Sequence, residues 1–315
     1  MNTFGTIFRL TDYGESDGKV IGGVLDGFPA GITLDYDFIQ SELNRRIPSD
    51  KPNSTKRKEE DRVEFLSGIR EGQTTGAPIA FIIPNQDVKA NPENLSILKP
   101  SHSSYTYKIK YGAKDNSYCG RASARQSACR VVGGALAKII LQKYNITIES
   151  KVIETGKAVT HGDTFGAVVE CTIHNLPAGL GEPLYDKFDA RLAYAMLSIN
   201  AAKGFEIGKG FEAGRMCGSQ YNDIQNSDFS FRSNHDGGIQ AGISNGQDIN
   251  FRVAFKPIPT LQLEQETIDF EGKPAIYRGN NRNDLCVVPR VLPVVEAMAA
   301  LVTVDFLLIS KTQCL

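Results

Sequence analysis

The stretch from Lys99 to Arg130 concentrates residues able to handle an anion. It carries seven cations, Lys99, Lys108, Lys110, Lys114, Arg121, Arg125 and Arg130, against one acid, Asp115. His102 lies in the same stretch, and Tyr105, Tyr107, Tyr111 and Tyr118 are interleaved with the cations. The chain as a whole has a net charge of −1, so the excess is local. Such a patch suits a small polyanion, with one imidazole able to exchange protons near neutral pH.

Within it, Gly120-Arg121-Ala122-Ser123-Ala124-Arg125 spaces two arginines four apart, which predicts one shared face at a helix start. A serine and two guanidiniums at a helix N-terminus can receive a phosphate or carboxylate. The same spacing also fits a solvated basic helix end with a serine cap. His102 stands in the turn-like Lys-Pro-Ser-His, where neighbouring cations should lower its pKa and a bound polyanion should reverse that shift. It equally fits an ordinary structural histidine. In HDGGIQAGISNG the glycines at 237, 238, 242 and 246 make either tight turns or a loop whose backbone approaches a flat or anionic ligand. This string is not a dinucleotide fingerprint. Lys256 ends a strand, and Arg282-Asn283-Asp284 lies in a polar loop, as a local ion pair or as an acid or base in a pocket.

Elements able to position these residues follow from periodicity. Residues 4–10, 20–25, 78–83, 146–155, 165–174 and 249–256 read as strands, with TDYGESDG as a loop between the first two. Helical spacing covers 37–46, 123–144 and 186–202. Gly133-Gly134 would let the second of these helices pack closely. The last helix, about 291–309, is apolar nearly all round and should be buried between layers. The charged stretch IPSDKPNSTKRKEEDR reads as a mobile surface loop. Strands and helices mix without the strict alternation of a doubly wound sheet, which favours α+β layers.

Composition bounds the function. A chain of 315 residues with 41% apolar and 23% charged residues can form one large domain or two ordinary ones. No strong basic bias points to nucleic acid. No apolar run reaches a membrane span and no signal peptide opens the chain, so no membrane partner is expected. Six cysteines form no CxxC pair. No metal site is therefore expected, only reduced, mostly buried thiols in a cytoplasmic protein.

Taken together, these stretches resemble the chorismate synthase family from about residue 4 to residue 310. The resemblance rests on FGTIFRLTDYGES, VLDGFPAG, IQSELNRRIP, RKEEDRVEFLSGIREGQTTGAPIA, HSSYTYKIKYG, GRASARQSACRVVGGALAK, SNHDGGIQAGISNG, RVAFKPIPT and CVVPRVLPVVEAMAAL, in the family's order. It implies one domain over residues 1–315, a β-α-β sandwich with helices enclosed between antiparallel sheets, and a homotetramer. The implied reaction is the 1,4-anti elimination of phosphate from 5-enolpyruvylshikimate 3-phosphate, with reduced FMN as cofactor. FMN contacts would fall on Arg121, Ala122, Ser123, Asn200, Ala201, Ala241, Lys256, Thr260 and Arg282. Substrate-binding cations would be Arg45, Arg46, Lys99 and Arg125. Catalytic roles would fall on His102, Asp284, Ser16, Ser123 and Asp17. The family's association with NADP concerns flavin reduction. With no added region and no nucleotide fingerprint here, an external system should supply the reduced flavin.

Several family motifs are altered. The pattern GESHG is Gly14-Glu15-Ser16-Asp17-Gly18, so a carboxyl replaces an imidazole. An ionised Asp17 would oppose an anionic substrate by roughly 4 kcal/mol at about 4 Å and ε near 20, whereas a protonated one could donate. Lys99 replaces an arginine, Cys119 a glycine, Ala122 a serine and Asn283 a histidine. A middle segment of the family is missing between Thr155 and Gly162. Two readings follow: an active enzyme with altered acid chemistry, or a diverged relative that binds flavin or an anion without the elimination.

Overall fold

The computed structural model describes residues 1–47, 60–86, 88, 94–279 and 284–313. The chain opens with strands β1 (Thr3–Phe4), β2 (Arg9–Gly14) and β3 (Val20–Asp26), followed by helix α1 (Tyr36–Asn44). Strands β4 (Glu64–Phe65), β5 (Ile69–Arg70), β6 (Gln73–Thr74) and β7 (Ile79–Pro84) lead to helices α2 (Ser104–Tyr111) and α3 (Ser127–Gln142). The hairpin β8 (Thr147–Thr155) and β9 (Ala167–His174) precedes α4 (Phe188–Leu197), β10 (Ala202–Ile207) and the short α5 (Gly218–Tyr221). Then come β11 (Ile239–Gln240), β12 (Ile243–Ser244), β13 (Ile249–Phe255), β14 (Glu264–Ile268), β15 (Pro274–Arg278) and α6 (Leu292–Gln313).

Two antiparallel sheets form the outer layers, ordered β1-β2-β3-β7-β4 and β10-β13-β9-β8. Helix α3 packs on β2 and β3 of the first sheet, α6 on β8 and β9 of the second, and the two helices pack on each other. The fold is thus α+β, with helices enclosed between antiparallel sheets. Period-two burial in β9 and β13 turns Val169, Cys171, Ile173, Phe251 and Val253 toward the helices. Core residues of both sheets and the helices between them join in one apolar cluster.

Helix α6 is buried continuously from Pro293 to Leu307. Its length and mean hydropathy of 2.1 would allow it to cross a membrane, but 83% of its apolar window is covered by the rest of the fold. It approaches α3 closely, where a Cβ on Gly134 would overlap Ala297. Asp305 of α6 accepts the backbone N–H groups of Thr6, Ile7 and Phe8 at 2.7, 2.7 and 2.9 Å, tying the β1–β2 connection to the central helix. Such charge-assisted bonds offset the cost of burying the carboxylate.

Several sequence expectations change. The segment TDYGESDG is not all loop, because Arg9–Gly14 pairs along β3 and only the turn after it is irregular. The helix expected from residue 123 starts at Ser127, after two 3₁₀ segments, Asn116–Ala122 and Ala124–Gln126. Ser123 between them is extended, with φ −71° and ψ 145°. Helix α2 also formed where no helix was expected. The proposed mobile loop falls on residues 47–62, of which 48–59 lie outside the described residues.

Candidate active site

The extended backbone at Ser123 separates the two arginines that spacing placed on one helix face. Arg121 turns toward β2, where its guanidinium meets the Asp12 carboxylate and carbonyl and donates to Gln126 Oε1 at 2.8 Å. Arg125 turns inward to Asp61. The Ser123 hydroxyl accepts from Arg125 N at 3.2 Å, so the predicted serine cap is present but on a 3₁₀ turn.

Arg46 and Arg125 converge on the same carboxylate. Arg46 Nη1 lies 2.6 Å from Asp61 Oδ2, and Arg125 pairs with Oδ1. All three residues are buried. Arg46 also donates to Ser127 Oγ at 3.2 Å. Burial, with Arg290 and Arg125 nearby, outweighs Asp61 and brings Arg46 down to about 10. Arg290 donates to the Arg46 carbonyl at 2.9 Å and holds Asp284 at 2.5 Å, which brings Asp284 to the rim of this cationic cluster.

Arg45 faces elsewhere. Its guanidinium makes two 2.6 Å bonds to Glu296 and one of 2.9 Å to Glu42, and Lys138 closes the same pair of carboxylates at 2.5 and 2.7 Å. Consecutive helical residues point about 100° apart, which is why neighbours at the end of α1 serve different clusters.

A second group lies around His102. The segment carrying it is locked to the 3₁₀ turn by Ser104 Oγ donating to Asn116 Oδ1 at 2.6 Å and by Asn116 Nδ2 donating to the carbonyls of Asn94 and Ile97. His102 N bonds Lys99 O at 3.3 Å, and its Nδ1 lies 3.1 Å from Ser103 Oγ. Lys256 reaches from the end of β13 to donate to Ser101 O at 2.8 Å. Burial first, then the charges of Lys99 and Lys256, push His102 down to about 4. The cationic effect read from sequence is present, but burial exceeds it. Burial also lowers Lys99.

Asn200 and Ala201 join this group from the loop after α4. Asn200 Nδ2 donates to Ala122 O at 2.9 Å, and Lys256 N donates to Ala201 O at 2.9 Å. Ala201 sits at φ 68°, a strained conformation for a residue with a Cβ. The result is a ledge of small side chains, Ala122 and Ala201, bounded by Lys256 and Asn200. Ala241, at φ 52°, is in the β11–β12 turn, and Thr260 is in the segment after β13. No described contact draws either one to the ledge. Arg282 and Asn283 lie outside the described residues.

The turn Glu15–Gly18 completes the arrangement. Ser16 N bonds Gly120 O at 3.2 Å, and Asp17 lies so close to Gly120 that a Cβ there would overlap its Oδ1. The Cys119 thiol, pushed up by burial, also feels the charges of Lys99, Asp115 and Asp17. Three altered motif positions, Asp17, Lys99 and Cys119, therefore share one neighbourhood. Sequence reasoning missed Asp61, Asn85 and Arg290. The signals were an acid just before VEFLSG, an asparagine closing the strand PIAFII, and an arginine opening the last helix.

Comparison with known proteins places the chain among relatives of one family. The family model described as chorismate synthase matches residues 8–160 and 154–308. The junction of the two matches falls at the end of β8 and the start of the loop leading to β9. A protein named chorismate synthase from Bacteroides thetaiotaomicron is 46% identical over 353 residues, covering 99% of both chains. One from Porphyromonas gingivalis is 46% identical, covering 99% of this chain and 97% of its own. These alignments exceed the 315 residues here, so the relatives carry a stretch this chain lacks. A solved structure described as a crystal structure of chorismate synthase superposes with a TM-score of 0.76 at 30% identity, covering 98% of this chain and 93% of that one.

Proposed function

The chain belongs to the chorismate synthase family, and from that membership we propose that it eliminates phosphate from 5-enolpyruvylshikimate 3-phosphate to give chorismate, with reduced FMN as cofactor. It is a carbon–oxygen lyase of aromatic biosynthesis. The observation that carries the site assignment is His102 sunk between Lys99 and Lys256. An imidazole held neutral by burial and two cations is poised to gain a proton when a phosphate arrives.

The residues present suit a flavin. Ala122 and Ala201 are small side chains that would not obstruct a flat ring, while Lys256, Arg121, Asn200 and Ser123 would supply the cations and polar groups that a phosphate and a pyrimidine edge need. Arg282, Ala241 and Thr260 extend this set by resemblance. When bound, reduced FMN supplies electron density to the ring from which phosphate leaves. Lys99 and His102 steady the departing phosphate through charge and a donated proton. Asp17 and Ser16 present polar atoms from the turn over Gly120. Asp284, anchored by Arg290, would assist the transfer of the ring proton.

Arg46 and Arg125 act on the substrate as a buried positive field, since Asp61 already meets both directly. Arg45, paired with Glu296, supports the end of α1 that carries Arg46. We further place the protein in the cytoplasm as a one-domain homotetramer that draws reduced flavin from an external, NADP-linked system.

The test is an anaerobic incubation with reduced FMN and 5-enolpyruvylshikimate 3-phosphate. Chorismate and inorganic phosphate should appear in equal amounts, and His102→Ala should cut the rate by about a hundredfold or more. Flavin binding without any phosphate release would overturn the assignment.

A further inference from the structure

The turn that carries Asp17 is fastened to the buried arginine cluster through one side chain. Asn85 follows the last residue of β7. Its Oδ1 accepts from Arg125 Nε at 2.9 Å. Its Nδ2 donates to Glu15 O at 3.0 Å and to Gly18 O at 2.8 Å, the two carbonyls that bracket Ser16 and Asp17. Both ends of the amide are therefore committed, and in opposite senses. Gly18 N bonds back to Glu15 O at 3.1 Å, closing the turn that Asn85 grips.

We infer that Asn85 is a positioning residue for the elimination: it fixes the Glu15–Gly18 turn against Gly120 and so sets where Asp17 stands in the site. The geometry is a relay. Asp61 orients Arg125, Arg125 orients the Asn85 amide, and the amide spends both N–H groups on the turn. An asparagine suits this task because it offers one acceptor and two donors on a short stem. Aspartate keeps the acceptor toward Arg125 but loses both donors and sets a negative charge against two carbonyls. The inference rests on the proposed role of Asp17 in the reaction.

Four proteins separate the possibilities: the wild type, Asn85→Asp, Asp17→Asn and the double variant, with kcat expressed per flavin-binding site. Asn85→Asp should lower kcat by about tenfold to a hundredfold, as a displaced reacting group does, and by more than it raises KM, because Lys99, His102 and Lys256 are untouched and only the field of Arg125 is weakened. Asp17→Asn should lower kcat as well, and the double variant should lose little beyond the worse single one. Asn85→Asp with wild-type kcat would overturn the inference, since a residue that merely supported Arg125 would tolerate a carboxylate there. Losses that multiply in the double variant would overturn it too. An unimpaired Asp17→Asn enzyme would instead remove Asp17 from the mechanism, and the inference with it.

Discussion

His102 shows how one residue can read the arrival of a ligand. In the free protein, burial and the flanking Lys99 and Lys256 hold it at about 4, so it is neutral at neutral pH. A phosphate set among the same three residues changes the sign of the local field. One opposite charge at about 4 Å contributes roughly 4 kcal/mol at ε near 20, enough to raise the imidazole by about three units. Binding of inorganic phosphate should therefore take up a proton near pH 6.5. Calorimetry in two buffers of different ionisation enthalpy measures that uptake directly. His102→Ala should abolish it, and wild-type binding with no proton uptake would contradict the argument.

At the scale of elements, the central helices decide what can be changed. Gly134 lets α3 meet Ala297 of α6 without an intervening side chain. Gly134→Ala must push the helices apart, and it should cost about 1–3 kcal/mol despite the better helix propensity of alanine. Thermal denaturation checks this, and an unchanged or raised Tm would show that the contact yields. The glycine pair and the buried last helix were both legible in the sequence, because close packing and an apolar surface on all sides leave local signatures. So were the long strands β8, β9 and β13, whose alternation matches their burial. The break at Ser123 was not legible. Nothing in GRASAR marks an extended residue between two 3₁₀ turns, because tertiary partners, Asp12 for Arg121 and Asp61 for Arg125, draw the arginines apart. Arg45 and Arg46 pose the same difficulty: a sequence cannot tell which of two adjacent arginines faces Glu296 and which faces Asp61. The His102 neighbourhood was legible because most of its residues come from one stretch. Lys256 was legible as a cation at a strand end, whereas Asn200 entered only through family resemblance.

Across the whole molecule, buried ionisable groups set how the sandwich responds to acid. Burial alone would raise Glu296, but Arg45 and Lys138 outweigh it and hold the carboxyl below its ordinary value. Its stabilising contribution is thus complete above the unfolded-state pKa near 4.5 and is lost as pH falls through the lower folded value. His102 acts at a higher window. Its folded pKa of about 4 lies below the unfolded value near 6.5, so the unfolded chain takes up a proton first and stability declines between them. His174 works in the opposite sense. Burial opposes its charge, but Asp248 and Glu149 raise it, so its contribution is present below 6.5 and fades as pH rises. It is 31% exposed, so solvent screens that contribution. The urea midpoint should therefore fall in two stages on acidification, the first below about pH 6.5 and the second below about 4.5. His102→Gln should remove the first stage and leave the second. Glu296→Gln should cost about 1–3 kcal/mol at pH 7, because it removes a buried carboxylate from the partly exposed Arg45 and Lys138, which Glu42 still meets, and it should flatten the second stage. A wild-type midpoint unchanged from pH 7 down to about pH 3 would mean that neither group carries the acid response, and that the ion cluster joining α1, α3 and α6 contributes little to holding the two sheets around their helices.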